Sequence, residues 1–310
     1  MRNKQSQRQA YGEELVALGA ENQRVVVLEA DLGNSTMSRL FGDAYPERYF
    51  DMGIAEQNML STAGGLAAAG KIAFCSSFAV FSTGRPYDQI RQSICIGKLN
   101  VKICGSSAGL SDFGDGASHQ SVEDLALMSA LPNMTVFTPC DANETRQAVR
   151  AAAAIDGPVY LRIMRNLMPD FIPADSKLLP GEFRVLRSGC DVAIFAHGTM
   201  VERAMDAASI LEKACISAQV INVSTLKPFD SAAAESIASS VKAVIAAEEH
   251  SYHGGLSAAL ALALRKSATP MDYVAIEDVF GQSAHSAEQL LCHYGLTAEA
   301  IADKARKLLV

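Results

Sequence analysis

The chain has 310 residues, of which 49% are hydrophobic and 20% are charged, and its formal net charge is −7. This length predicts two domains, each with its own core, and the composition is typical of a soluble globular protein. The acidic balance, with no basic run or aromatic-basic interleaving, excludes a nucleic-acid-binding surface.

No segment approaches the roughly 18 uninterrupted apolar residues of a membrane span, and no apolar leader follows the amino terminus. The seven cysteines include no CxxC pair and no metal-type spacing, which indicates reduced, mostly buried thiols. We therefore expect a cytoplasmic protein that binds neither membranes nor nucleic acid.

Short β-branched runs alternate with Ala-rich amphipathic segments along the first half of the chain. The predicted strands are residues 24–28, 71–75, 101–105, 135–138 and 159–163, and the predicted helices are 10–18, 86–96, 122–131 and 143–154. Strands that alternate with helices of this length indicate βαβ units and a mainly parallel sheet.

Both periodicities stop between residues 166 and 182, where Pro169, Pro173 and Pro180 fall. A second alternation follows, with strands predicted at 192–196, 219–223, 243–247 and 273–276 and helices at 201–214, 256–266 and about 297–309. The predicted fold class is α/β, with two doubly wound domains that have mainly parallel sheets. The domains are residues 1–168 and 183–310, and 169–182 form the linker.

One carboxylate, Glu56, stands just after a glycine turn, at the head of a segment rich in Ala, Gly, Ser, Thr and Leu. A helix there would pack closely and hold the charge where water is scarce, so the carboxylate needs a partner. The alternative is a helix-start carboxylate that complements the helix dipole.

Four further clusters could carry chemistry, and three of them follow predicted strands, where ligands gather in open parallel sheets. Residues 29–35 are acidic and turn-forming, with a capping Asx turn as the alternative. Residues 76–82 place two Phe three apart, a spacing also common in cores. Residues 160–166 end in arginines that suit either anion recognition or a solvated edge.

The fourth cluster, residues 109–120, is a polar, glycine-rich stretch with two Asp and one His. Long loops inside compact domains usually serve function. Its Gly-Asp-Gly sequence could suggest a phosphate loop or a metal site, but no Walker lysine or dinucleotide fingerprint accompanies it.

Several longer motifs add a resemblance to a known family. The first half contains, in this order, the motifs GIAEQNM, FAVFSTGRPYDQIRQ, DGASHQSVEDLALMSALPNMTVFTPCDANE and VYLRIMRN. In sequence and in order, these motifs resemble the pyrimidine-binding domain of transketolases. The second half resembles the transketolase carboxyl-terminal domain, through AHGTMVERAMDAASIL, INVSTLKPFD and the Gly254-Gly255 pair. The resemblance covers nearly the entire chain.

The resemblance also implies a missing part. A full transketolase begins with a domain whose GDG…N motif holds a divalent metal and the diphosphate of thiamine diphosphate, and no such domain precedes Arg8. The chain thus resembles the carboxyl-terminal subunit of a split transketolase. The implied assembly is a heterotetramer with a separate amino-terminal subunit. The divalent metal ion, Mg²⁺ or Ca²⁺, would be bound mainly by that subunit.

The family's cofactor contacts map onto four residues. Glu56 matches the carboxylate that hydrogen-bonds the pyrimidine N1′ and favours the imino tautomer, which removes the C2 proton. Phe81 matches the aromatic residue that stacks on the pyrimidine, with Phe78 packed beside it. Asp31 matches the acidic residue beside the thiazolium region.

The substrate contacts map onto five residues. Asp115 and His119 match positions that contact the sugar hydroxyls and the substrate carbonyl region, so His119 joins Glu56 as a predicted catalytic residue. Arg8, Ser35 and Arg165 match positions that bind the sugar phosphate, which suits the forked donors of arginine. No metal ligand is predicted in this chain.

Two positions depart from the family. Ser107 stands where many transketolases have a histidine on the donor's hydroxyls, and Gly84 stands where some have a tyrosine packing on the pyrimidine. The first departure predicts an altered donor, such as a branched or otherwise unusual ketose phosphate.

The leading function is transfer of a two-carbon ketol unit from a ketose phosphate to an aldose acceptor. One alternative is the β subunit of a 2-oxoacid dehydrogenase E1 component, which is disfavoured because that family lacks the DGASHQ sequence. A non-catalytic homologue is the other alternative, and the presence of Glu56 opposes it. The second-domain histidines, residues 197, 250, 253, 285 and 293, are expected to be structural, in a domain that supports the dimer.

Overall fold

The structure is a computed structural model that describes residues 3–310. Its strands in chain order are β1 Lys4–Ser6, β2 Val25–Glu29, β3 Tyr49–Asp51, β4 Ile72–Phe78, β5 Val101–Ser106, β6 Thr135–Phe137, β7 Val159–Arg162, β8 Leu167–Pro169, β9 Arg184–Arg187, β10 Val192–Ala196, β11 Ala218–Asn222, β12 Thr225–Lys227, β13 Ala243–Ser251 and β14 Met271–Ile276.

The α-helices are α1 Gln7–Glu21, α2 Gly33–Thr36, α3 Arg39–Ala44, α4 Glu56–Ala68, α5 Ala79–Gly84, α6 Tyr87–Gln89, α7 Asp124–Ala130, α8 Ala142–Ala154, α9 Met200–Glu212, α10 Ser231–Ser239, α11 Leu256–Ala263, α12 Ala287–His293 and α13 Ala298–Leu308. Pro46–Arg48 and Gly116–Ser118 form 3-10 turns, and Ile90–Cys95 forms a π-helical segment.

The first sheet has the strand order β12-β6-β7-β5-β4-β2-β3 over the described residues. Its strands from β6 to β3 pair in parallel. All residues of β2, β4 and β5 are buried, because helices cover both faces of the sheet. The parallel strands end at one edge, and the loops that leave this edge carry the predicted site.

The second sheet has the order β14-β13-β10-β11-β9, with the antiparallel strand β9 at its edge. The central strands β10 and β11 are also fully buried. This arrangement confirms the predicted α/β class with mainly parallel sheets. The domain limits at 168 and 183 stay a prediction.

Most predicted strands and helices occur within a few residues of their expected ends, but several short strands escaped prediction. They are β1, β3, β8, β9 and β12. Strand β8 crosses the predicted boundary between the first domain and the linker and pairs with β1. Strand β12 belongs to the second half of the chain yet extends the first sheet by pairing with β6.

The two halves of the chain share a hydrophobic core. One cluster contains Met59 and Ile103 from the first half together with Phe195 and Leu260 from the second. Hydrogen bonds also cross between them, including that from the Leu125 backbone N–H to Nε2 of His250 at 3.1 Å. The second half is therefore packed against the parts of the first that carry the predicted site.

Four of the seven cysteines are buried, and all seven are free thiols. Among residues 3–310, no helix is both long enough and apolar enough to span a membrane.

Candidate active site

The carboxyl ends of β2, β4, β5 and β7 lie side by side, because these strands are parallel neighbours. These strand ends, together with the loops and helices that follow them, contain all the predicted site residues except Arg8 and Glu56. Arg8 lies in the first turn of α1, and Glu56 begins α4.

Glu56 is only 4% exposed. Its partner is Arg85, whose Nη1 donates to Oε1 of Glu56 at 2.7 Å. The Arg85 guanidinium carbon also lies 4.1 Å from the centre of the Phe81 ring. The carboxylate at the head of α4 therefore has the partner that its burial demands.

The small residues of α4 allow this burial. Gly64 faces the π-helical segment, where an added Cβ would lie 3.3 Å from the carbonyl oxygen of Ser93. Met59, Leu60 and Ala63 of the same helix are fully buried. Helix α4 therefore packs closely against its neighbours, and this packing fixes the position of Glu56.

Three rings gather beside Glu56. Phe78 and Phe81 are nearly parallel, with ring centres 6.1 Å apart and an interplanar angle of 13°. The imidazole of His119 meets Phe81 edge-on, with a centre-to-centre distance of 5.1 Å. The structure thus brings the predicted residues Glu56, Phe78, Phe81 and His119 together, with Arg85 in their midst.

A second group contains two arginines. Arg8 Nη1 donates to the backbone oxygen of Ser35 at 2.7 Å, and Arg165 Nη1 lies 3.1 Å from Oδ2 of Asp112. The pKa of Arg8 is lowered, mainly by burial and to a smaller extent by the nearby Arg165 cation. The Asp112 carboxylate opposes this shift. Two neighbouring cations with one carboxylate between them leave positive charge available for an anion.

Asp112 connects this group to the loop of residues 109–120, which we call the substrate loop. Burial raises the pKa of Asp112; the Arg165 cation opposes that rise, and the Asp115 carboxylate adds to it. His119 also influences Asp112 electrostatically. Asp115 is exposed in the middle of the loop, just before its 3-10 turn.

Asp31 and Ser35 line a polar cavity of about 310 Å³, together with Arg39, Tyr49 and Asp51. Asp31 has a φ of 60°, a left-handed conformation that Asp tolerates better than most residues. Its backbone N–H donates to Oδ1 of Asp51 at 3.2 Å. Neither Asn34 nor Ser35 caps α2, since Leu32 stands at the cap position, so the predicted alternative of an Asx cap is wrong.

Glu29 lies beneath this cavity at the end of β2 and is fully buried. Thr36 and Ser38 donate their hydroxyls to its Oε2 at 2.8 and 2.5 Å. Burial raises the pKa of Glu29 to about 7, although these two hydrogen bonds oppose the rise. Its contacts fix the short segment that carries Ser35.

The two positions that depart from the family pattern differ in surroundings. Ser107 is fully buried, has a φ of 52°, and its hydroxyl has no hydrogen-bond partner within residues 3–310. Gly84 is exposed, and a Cβ there would meet no atom within 4 Å. Space is therefore open beside Gly84.

The histidines of the second domain lie apart from these rings. His197 and His250 are fully buried and lie 3.8 and 3.9 Å from Oε2 of Glu248. Burial lowers the pKa of His197. The remaining three, His253, His285 and His293, are exposed.

Comparison with known proteins decides the family. The model of the transketolase pyrimidine-binding domain matches residues 3–170, and the model of the transketolase carboxyl-terminal domain matches residues 181–301. The chain belongs to the transketolase family.

Three relatives match this transketolase chain along almost its whole length. A solved structure described as "Split gene transketolase, inactive beta4 tetramer" is 45% identical, has a TM-score of 0.89, and each chain covers 99% of the other. The 6-deoxy-6-sulfo-D-fructose transketolase subunit SqwH of Clostridium sp. (strain MSTE9) is 37% identical over 97% of this chain and 94% of its own. An apulose-4-phosphate transketolase subunit of Phocaeicola vulgatus is 32% identical, with 96% of each chain covered.

The family implies thiamine diphosphate, and the geometry around Glu56 fits its aminopyrimidine ring. The Arg85 guanidinium is itself a flat, delocalised group with N–H donors, and it both faces Phe81 and bonds Glu56. A planar, hydrogen-bonding ring would make the same two contacts. In residues 3–310, no three His, Cys, Asp or Glu side chains converge as a metal site would require.

Sequence reasoning missed Arg85, Asp112 and Glu249. Arg85 falls inside a motif quoted for the family, and Asp112 falls inside the glycine-rich cluster. A search for a cation to pair with Glu56 could have found Arg85, and a search for a carboxylate to pair with Arg165 could have found Asp112. Glu249 accepts a hydrogen bond from the Leu110 backbone N–H of the substrate loop at 2.6 Å. These two residues are far apart in the chain, so no local pattern indicated this contact.

Proposed function

We propose that this chain is the carboxyl-terminal subunit of a thiamine-diphosphate-dependent transketolase. It would transfer a two-carbon ketol unit from a ketose phosphate to an aldose acceptor. The observation that carries the proposal is the buried Glu56 carboxylate beside Phe81 and His119, within a chain of this family. When bound, the cofactor supplies the carbanion chemistry that the protein lacks.

The residues of this chain would hold and orient one half of that cofactor. Glu56 would accept a hydrogen bond from the pyrimidine ring and keep a proton in place there, in surroundings that strengthen the bond because water is scarce. Phe81, backed by Phe78, would offer its face to the ring. Asp31 would lie toward the thiazolium end.

The sugar phosphate would bind along the same edge of the sheet. Arg8 and Arg165 would bind the phosphate together with Ser35, and their positions support this because the two cations are close enough to influence one another. Asp115 and His119, at the tip of the substrate loop, would contact the sugar, with His119 acting near the substrate carbonyl.

The diphosphate and its Mg²⁺ or Ca²⁺ would be bound mainly by a separate amino-terminal subunit, in a heterotetramer with two copies of each chain. The family supports a separate partner subunit, as do relatives of matching length that are described as subunits or, in one case, as a split-gene transketolase in an inactive β4 tetramer.

An unusual donor sugar is the finer part of the proposal. The absence of a histidine at position 107 supports it, and so do two relatives whose names specify a sulfo-sugar and apulose 4-phosphate. A branched or otherwise modified ketose phosphate should therefore react faster than xylulose 5-phosphate. Equal rates on xylulose 5-phosphate and on every other donor would contradict this part.

The experiment is reconstitution. The purified chain is mixed with an amino-terminal transketolase subunit, the cofactor and Mg²⁺, and assayed with ketose phosphates or with pyruvate and a dye acceptor. Ketol transfer that requires both chains supports the proposal. Dye reduction with pyruvate and no ketol transfer would favour the alternative of a 2-oxoacid dehydrogenase E1 component.

A further inference from the structure

Contacts within the first domain hold both ends of the substrate loop. At its base the Gly109 backbone N–H donates to the oxygen of Ser121 at 2.9 Å, and the Ser111 hydroxyl donates to the oxygen of Ala108 at 2.7 Å. Farther along, Gly114 and Asp115 are exposed. Near the two ends of the loop, Asp112 pairs with Arg165 and His119 packs against Phe81, whereas the stretch between them contacts the second domain.

The second domain holds one side of the loop through Glu249. This residue lies near the end of β13, is 1% exposed, and accepts the Leu110 N–H at 2.6 Å. Its backbone oxygen accepts from Nη2 of Arg162 at 2.9 Å, while Nε of Arg162 donates to Asp124 at 2.8 Å. The end of β13 is thus tied to the first domain by a buried hydrogen bond from Arg162, whose charge is paired with Asp124 inside that domain.

Residues 281–284 of the second domain, which we call the template segment, hold the other side. The Ala284 N–H donates to the oxygen of Phe113 at 2.8 Å. Nε2 of the buried Gln120 donates to the oxygen of Gln282 at 3.0 Å and to that of Asp112 at 3.1 Å. One amide group therefore joins the loop to the template segment and closes the loop on itself.

The fit between loop and template segment depends on glycine. A Cβ added at Gly281 would lie 1.7 Å from Oε1 of Gln120, and one at Gly116 would lie 2.5 Å from Oγ of Ser283. By contrast, a Cβ at Gly114 in the same loop would meet nothing within 4 Å. Movement of the Gln120 amide away from a new methyl group would break its hydrogen bonds to Gln282 and Asp112.

We infer that the second domain positions the substrate loop for the reaction, with Gln120 and Glu249 as positioning residues and Gly281 as the point that permits their contact. What the loop binds rests on the proposed function. The loop carries Asp115 and His119, and a displacement of about 1 Å in such groups can cost orders of magnitude in rate. The second domain thus contributes to substrate recognition as well as to dimer support.

The first test needs no catalysis. Deuterium uptake by peptides covering residues 109–120 is measured by mass spectrometry in the isolated chain, for the unmodified protein, G281A and the matched variant G114A. G281A should raise uptake in this peptide, while G114A, which adds the same methyl group to open space, should not. Equal uptake in all three proteins would overturn the inference even if the chain proved not to be a transketolase.

The second test uses the assembled enzyme. G281A and Q120A should each raise KM for the ketose phosphate about tenfold or more, with unchanged affinity for thiamine diphosphate. The double variant should be no worse than Q120A, because both changes remove the same hydrogen bonds. Should G281A fail to fold, Q120A carries the test. Unchanged KM in Q120A, or a loss of cofactor affinity equal to the rise in KM, would overturn it.

Discussion

Removal of Arg85 should tighten cofactor binding, although this arginine makes the shortest contact with Glu56. Its guanidinium lies against Phe81 and bonds Glu56, where the pyrimidine ring is proposed to bind. The arginine must therefore leave these contacts when the cofactor enters.

The size of the effect follows from the exposure of the pair. The Arg85 side chain is 48% exposed and that of Glu56 is 5% exposed. A half-exposed ion pair and a solvated cation–π contact together contribute about 1 kcal/mol once solvent screening is counted. R85A should therefore bind thiamine diphosphate roughly fivefold more tightly in the assembled enzyme.

The assay is calorimetric titration of thiamine diphosphate, with Mg²⁺, into the assembled enzyme. The matched control is R91A, which removes the same charge from an exposed position on the neighbouring π-helical segment. R91A should bind like the unmodified protein. Weaker binding by R85A would refute the reasoning, because it would show that Arg85 contributes to the bound state.

Three other predictions concern stability and the rings. Burial raises the pKa of Glu29 to about 7 from an ordinary value of 4.5, so the folded state holds the extra proton and stability falls as pH rises through that window. Urea unfolding at pH 5 and pH 8 should show this loss of unfolding free energy, at most about 3 kcal/mol, in the unmodified protein but not in E29Q. An equal loss in both proteins would contradict the assignment to Glu29. D124N leaves the buried Arg162 without its counter-charge and should cost about 3–5 kcal/mol in the same assay, whereas a loss below about 1 kcal/mol would contradict the buried pair. F81L should weaken cofactor binding by roughly threefold to tenfold through loss of an aromatic face, measured by the same titration, and unchanged affinity would exclude stacking on this ring.

The fold could be predicted where local patterns determine it. The buried strands β2, β4 and β5 consist of apolar or small residues apart from Glu29 and Lys102, and the cap residues Ser6 and Asp141 mark the starts of α1 and α8. The short strands β1 and β8 could not be predicted, because each is three residues long and exists only through the other. Strand β12 likewise depends on an edge built by a different half of the chain.

The candidate site also has a part that the sequence predicts and a part that depends on distant contacts. Family motifs pointed to Glu56, Phe81 and His119 one by one, and the structure places them together, although their roles remain predictions. Contacts that depend on distant packing escaped prediction. Arg85 beside Glu56 is one, and Glu249 beneath the substrate loop is another, since the Leu110–Glu249 bond joins residues 139 positions apart.

Exchange of the C2 proton of bound thiamine diphosphate tests the central claim most directly. In the assembled enzyme, quenched-flow NMR should show that E56Q slows exchange by about 10²–10⁴-fold while the cofactor stays bound. The surface variant E21Q, which removes an exposed carboxylate paired with Arg150, should exchange at the unmodified rate. Exchange in E56Q at the unmodified rate would contradict the claim that this chain's carboxylate activates the cofactor.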